Sequence, residues 1–244
     1  MNMQSPIADT TSCSATAVET MRLNNEGVQL LQAGSYNEAV KIFSHVLATV
    51  KTLLNEENRE QTWTMDEDEA METAPFCHFK GSKCHMNFDE EVNTTGELFL
   101  FQKALVVDYD NSSAALVHFN SLVKLSSISL YNLALSYHLG ALEMKTSRKM
   151  FRKALTFYEL AHSIQTPEEL DLGVLLTLAI VNNIGHIHSV LNNKAKANQC
   201  FQHLLSTIMY VTDCGEGESV PMFDGFFSNV MGTVLKQEPS APAA

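Results

Sequence analysis

The residues of this sequence best suited to chemistry are two cysteine–histidine pairs, Cys77-His78 and Cys84-His85. Thiolate and imidazole are ordinary zinc ligands. Adjacent Cys-His pairs seldom both turn onto one metal, however, and no second knuckle of the usual spacing follows. Free thiols and surface histidines are therefore the simpler reading, and a zinc-stabilised regulator is the alternative. His186 and His188 flank Ile187. Residues two apart on a helix point to different faces, and His188 falls where a core residue is expected. Leu235-Lys236-Gln237-Glu238 matches the short signal for attachment of a ubiquitin-like modifier, a pattern common by chance. There is no glycine-rich phosphate loop, nucleophile elbow or metalloprotease helix. No catalytic residue, metal ligand or cofactor is assigned, and the expectation is a protein that is not an enzyme.

The elements that would carry such residues are helical. The chain has 244 residues, 45% of them hydrophobic, which is enough for a packed core. Its formal net charge of -12 repels phosphate backbones and disfavours a nucleic-acid partner. Lys145 to Lys153 is the best basic cluster and reads as a solvated helix face. The cysteines are Cys13, Cys77, Cys84, Cys200 and Cys214. Their odd number and wide spacing, with no secretory signal, suit free thiols in a reducing compartment. A cytoplasmic home, or a nuclear one, is expected. The apolar run Leu172 to Val181 is shorter than the roughly 20 residues that cross a bilayer, so no membrane partner is expected.

Residues 1–17 are rich in Ser, Thr and Ala without helical periodicity and read as a disordered lead-in. Residues 237–244 read as a flexible tail. Between them, over 18–236, a helical hydrophobic period appears three times. Leu23, Gly27, Leu30 and Leu31 share a face, Gly34-Ser35 breaks the run, and Ala39, Ile42, Phe43, Val46 and Leu47 follow on a second helix. Leu130 to Leu139 and Phe151 to Ala161 make the second pair. Thr166-Pro167-Glu168-Glu169 has the chemistry of a helix start. It precedes a third pair through Val181, Ile184 and Gly185, then Ala197, Phe201 and Leu204. Phe223 to Leu235 suits a capping helix, spanning about 222–235. The spans of the three pairs are 20–51, 127–165 and 178–210. The stretch 52–110 is an irregular insert. Its Phe-, Leu- and Val-dense part, Glu97 to Val107, suits a strand or hairpin arm laid over the helices.

Superposing the three stretches aligns Gly27, Ala134 and Gly185 in the first helix and Ala39, Ala154 and Ala197 in the second. Phe43, Tyr158 and Phe201 follow four residues later. This order of small residue, alanine and aromatic resembles the tetratricopeptide repeat. The resemblance covers under half of the chain, and the middle repeat departs from it. Twelve positions separate Gly27 from Ala39, and Gly185 from Ala197, but twenty separate Ala134 from Ala154. The resemblance implies an all-α fold of stacked antiparallel helix pairs, in which small residues let the helices approach and the aromatic fills the gap between neighbouring pairs.

Asn25, Asn132 and Asn183 share one position of the first helix, with Asn24 and Asn182 beside two of them. The triplets around them resemble those of kinesin-light-chain-type repeats. This resemblance implies a ladder of amides that pair with the backbone of an extended peptide in a concave groove. A carboxamide offers both a donor and an acceptor, as a peptide unit does. By the same superposition, Val28, Tyr131, Leu135, His138 and His186 face the groove. Repeats of the chaperone-tail type place cations at positions held here by Asn24, Val28, Asn132, Ala179 and Asn183, so a terminal carboxylate is not the expected ligand. The expected function is a protein-interaction scaffold that binds a protein or peptide. A structural or self-associating domain, its groove filled by its own insert or by a second copy, remains open beside it.

Overall fold

A computed structural model describes residues 7–63, 98–107, 119–144, 148–164, 170–213 and 223–234. Seven helices account for nearly all of them: α1 (Ile7–Gln32), α2 (Tyr36–Trp63), α3 (Phe119–Glu143), α4 (Arg148–Ser163), α5 (Leu170–Val190), α6 (Lys194–Asp213) and α7 (Asp224–Val234). There is no strand among the described residues, and none of the described helices is long and apolar enough to cross a membrane. Helices α1 and α2, α3 and α4, and α5 and α6 pack as pairs. The pairs meet in chain order through α2 on α3, α1 on α3 and α4 on α5, and α7 closes the row against α6 and α5.

Two of the three intra-pair turns have the same build. At the end of α1, Ser35 N donates to Leu30 O at 2.9 Å and Gly34 N to Leu31 O at 3.0 Å, with Gly34 at φ 76°. At the end of α5, Asn193 N donates to His188 O at 2.7 Å and Asn192 N to Ser189 O at 2.9 Å, with Asn192 at φ 61°. Both satisfy the last helical carbonyls through a left-handed residue, a conformation that glycine and asparagine tolerate best. Gly34-Ser35 and Asn192-Asn193 thus do the same work with different side chains.

Within these two pairs, the aromatic ring lies on the glycine of its own pair. A Cβ on Gly27 would fall 2.7 Å from Phe43 Cε1, and one on Gly185 would fall 2.8 Å from Phe201 Cε1. The rings themselves are fully buried.

Three expected boundaries move. Helix α1 already runs from Ile7, so the lead-in of 1–17 is helical from that residue. Ala17, Thr20 and Met21 are buried, and once packing nucleates a helix there, it propagates more readily than it starts and carries the weaker helix formers Thr and Ser with it. Helix α2 continues to Trp63, so residues 52–63 belong to the helix rather than to the insert. Buried Val46, Val50 and Leu53 keep its apolar face going. The extra length of the middle pair forms no long connection, since α3 ends at Glu143 and α4 starts at Arg148. It forms helix instead, and α3 begins at Phe119, ahead of residue 127. The Thr166–Glu169 start lies outside the described residues, as do the acidic run at 66–69 and the tail from 235 onward.

Candidate functional site

Residues 98–107 run across the inner helices with no strand beside them. Their backbone groups pair with asparagine side chains instead. On α1, Asn25 Nδ2 donates to Val107 O at 2.8 Å and Val107 N donates to Asn25 Oδ1 at 2.9 Å. On α3, Asn132 makes the same exchange with Leu105, both bonds at 2.8 Å. On α5, Asn183 holds Phe101 at 3.1 and 2.9 Å. On α7, Asn229 holds Phe99, both bonds at 2.7 Å. The held residues are all odd-numbered. Backbone edges that repeat every second residue mark an extended chain, which runs from α7 to α1, against the order of the helices.

Over residues 105–107 the side chains alternate, with Leu105 and Val107 buried and Val106 exposed, whereas Leu100 and Phe101 are both buried ahead of the exposed Gln102. The Phe99 ring lies edge-on to Phe226 at 5.4 Å, and Phe101 stacks on Phe226 at 5.6 Å. A Cβ on Gly225 would fall 2.6 Å from the Phe99 ring, so α7 takes this ring only because residue 225 has no side chain.

A second tier supports the ladder. Asn24 Nδ2 donates to Leu105 O at 3.3 Å and to Asn25 Oδ1 at 3.3 Å, while its Oδ1 accepts from Ser129 Oγ at 3.0 Å and from Asn132 Nδ2 at 3.3 Å. Asn182 repeats the pattern: Nδ2 donates to Phe99 O and to Asn183 Oδ1, each at 3.1 Å, and Oδ1 accepts from Asn229 Nδ2 at 2.7 Å. Asn24, Asn132, Asn182 and Asn183 show no exposed surface, and Asn229 only 1%. Burial on this scale is tolerable because the amides are bonded on both sides.

Tyr131 is fully buried, and its hydroxyl donates to Lys103 O at 3.1 Å, with Phe101 O at 3.5 Å. Beneath the ladder, Asn183 Nδ2 also donates to Tyr158 Oη at 3.1 Å. Tyr158 Oη lies 3.5 Å from His138 Nδ1, and His138 Nε2 lies 3.1 Å from His186 Nδ1. The bond between the two imidazoles needs one unprotonated ring nitrogen, so at least one of the histidines is neutral. Burial, and for His138 also the neighbouring His186, pushes the imidazoles down, His186 to about 4. Burial raises both phenols, with each tyrosine close to the other.

Of the residues expected at the groove, Asn24, Asn25, Tyr131, Asn132, Asn182 and Asn183 all meet the extended segment. His138 and His186 lie one layer further on, linked to it through Tyr158 and Asn183. Val28 and Leu135 are buried in the same apolar cluster as Tyr131, Phe101 and Leu105. Asn229 was not expected. It lacks the small residue two positions later that marks the other three, and the remaining signal is an amide on the same helical face as Phe226 and Val230, both buried. His188 is buried, as a core position requires. Cys77, His78, Cys84 and His85 lie outside the described residues, among which no group of three or more His, Cys, Asp or Glu side chains is placed to hold a metal. A comparison of the chain with known protein families, curated proteins and solved structures finds no match.

Proposed function

We propose that the chain is a non-enzymatic interaction scaffold of tetratricopeptide-like helix pairs, whose inner face binds an extended peptide through its backbone. Residues 98–107 hold that face in cis, and a partner peptide replaces them. The observation that carries this reading is the set of eight paired bonds from Asn25, Asn132, Asn183 and Asn229 to four odd-numbered residues of one extended segment. Such bonds read a backbone and are indifferent to the sequence it carries.

Magnitudes favour exchange over permanent closure. At about 1 kcal/mol net for each bond, the ladder contributes about 8 kcal/mol. Burying Leu100, Phe101, Leu105 and Val107 adds about 9 kcal/mol. Ordering the ten residues of the segment costs about 15 kcal/mol. The segment is thus held by a small surplus. An opened groove also avoids the penalty of stranded polar groups, because water satisfies the exposed amides.

The structural alternative, in which 98–107 is a fixed strut, is favoured by the same occupancy and needs a direct test. Peptides displayed on phage would be selected on the unaltered chain and on one carrying Phe101→Pro and Leu105→Pro, which lack two of the donated amides. Enrichment of common peptides on the opened chain, lost when Asn25, Asn132 and Asn183 are changed to Ala, is the expected result. A folded, opened chain that selects nothing would make the segment a strut.

A further inference from the structure

The asparagine pairs and the lone asparagine of the middle helix treat the segment differently. Each Asn-Asn pair works as a unit. Asn25 and Asn183 hold their own residues, while Asn24 and Asn182 reach forward to the carbonyl held by the next helix, at Leu105 and Phe99. In both cases the held residues are two apart, Val107 to Leu105 and Phe101 to Phe99. In the middle helix the forward-reaching place is taken by Tyr131. The held residues there are four apart, Leu105 to Phe101, and the odd residue between them, Lys103, has its carbonyl bonded by the Tyr131 hydroxyl. A phenol is longer than a carboxamide, and its ring is wedged beside Tyr158 at 5.8 Å. An even step, whether two or four, returns the same backbone edge and the same side-chain face. The register therefore survives the longer step.

We propose that Tyr131 is a specificity-determining residue that sets the groove to a two–four–two spacing. Building on the peptide-binding reading above, this defines the ligand class. It is an extended peptide with apolar side chains at positions i, i+1, i+2, i+6 and i+8, partly buried at the first and buried at the others, aromatic at i and i+2, and with no proline at i, i+2, i+6 or i+8, since each of these donates its amide to an asparagine. Gly225 and Phe226 accept the first two rings. The position that corresponds to Lys103 is held through its carbonyl by the Tyr131 hydroxyl.

The full-length chain opened by Phe101→Pro and Leu105→Pro provides the test, read by fluorescence anisotropy with three labelled peptides. One has the sequence of residues 98–107, one lacks Gln102 and Lys103, and one has Gly-Ser inserted after Lys103. The native spacing should bind at least about tenfold more tightly than either altered one, because a misplaced half forfeits two asparagines. Tyr131→Phe keeps the ring and should keep this preference, with affinity lowered several-fold. Tyr131→Asn removes the wedge and should shrink the preference to about threefold or less. Equal binding of the three peptides would overturn the spacing rule and leave the groove intact. An unchanged preference in the Tyr131→Asn chain would remove Tyr131 from the role. Binding of no peptide to a folded, opened chain would overturn the groove reading together with this inference. Should the opened chain not fold, deletion of Gln102 and Lys103 from the otherwise unaltered chain gives a second readout. Slow amide exchange should then be lost at Phe99 and Phe101 or at Leu105 and Val107, and retention at all four would refute the rule.

Discussion

The two ends of the segment are held by the same device in different surroundings. At the α1–α3 end, Asn24 and Asn25 work with Asn132 on Leu105 and Val107. At the α5–α7 end, Asn182 and Asn183 work with Asn229 on Phe101 and Phe99. The bonds match almost atom for atom, but the burial does not. Asn25 is half-buried, whereas Asn183 is fully buried and uses all four of its bonding positions, two of them on neighbours other than Phe101. The same side chain therefore carries unequal weight. Where water can reach the groups left behind, the loss of a bond is partly replaced, and where it cannot, the whole desolvation penalty remains.

This contrast predicts the largest effect for Asn183→Ala. It strands the Phe101 amide and takes one partner each from the Phe101 carbonyl, the Asn182 amide and the Tyr158 hydroxyl, and should cost about 3 kcal/mol or more in chemical denaturation. Asn25→Ala should cost only about 1 kcal/mol in the same assay. Equal losses would mean that the two ends are equally solvated and that the comparison fails. Next come the glycines under the aromatic rings. Gly27→Ala and Gly185→Ala press a methyl into Phe43 and Phe201 and should each cost about 1–3 kcal/mol. Differential scanning calorimetry should show losses of similar size in the first and third pairs, and a marked asymmetry would show that one pair relaxes where the other does not. Tyr131→Phe, which removes a single hydroxyl shared between Lys103 O and the more distant Phe101 O, should cost about 1 kcal/mol. Amide exchange should then quicken in the middle of the segment before it does at either end.

The smallest effect at neutral pH belongs to the histidine pair, and it grows on acidification. Their folded values lie below the ordinary imidazole range, so the unfolded chain binds more protons. The stability that results is fully present above about pH 6.5 and is lost as pH falls from there toward about 4, where His186 titrates in the folded chain. Thermal midpoints between pH 7 and 4 should fall less steeply in His186→Gln than in the unaltered chain. Parallel profiles would remove the pair as the acid-sensitive element.

Much of this arrangement is legible before folding. Three asparagines two positions ahead of Gly27, Ala134 and Gly185 mark three of the four rungs. The glycine–aromatic spacing marks the first and third pairs, and the all-helical character follows from the apolar period. Asn229 was hidden because α7 follows no repeat pattern, so an amide on its buried face reads only as an oddity in an apolar helix. The helical extent of residues 7–17 and 52–63 was hidden because neutral helix formers follow whatever the neighbouring buried face imposes.

The sequence by itself determined the period of the helices, the recurring spacing of Gly27 and Gly185 to an aromatic residue, and the recurrence of amides on one face. These are local relations, fixed by distances of three to sixteen residues along the chain. The tertiary structure decided what those amides hold. The bonds from Asn25 to Val107 and from Asn183 to Phe101 each join residues 82 positions apart, and the bond from Asn229 to Phe99 spans 130. No period or propensity encodes such a pairing. It arises because an extended, alternately apolar segment and a row of buried amides each satisfy backbone and side-chain groups that the other would leave unpaired.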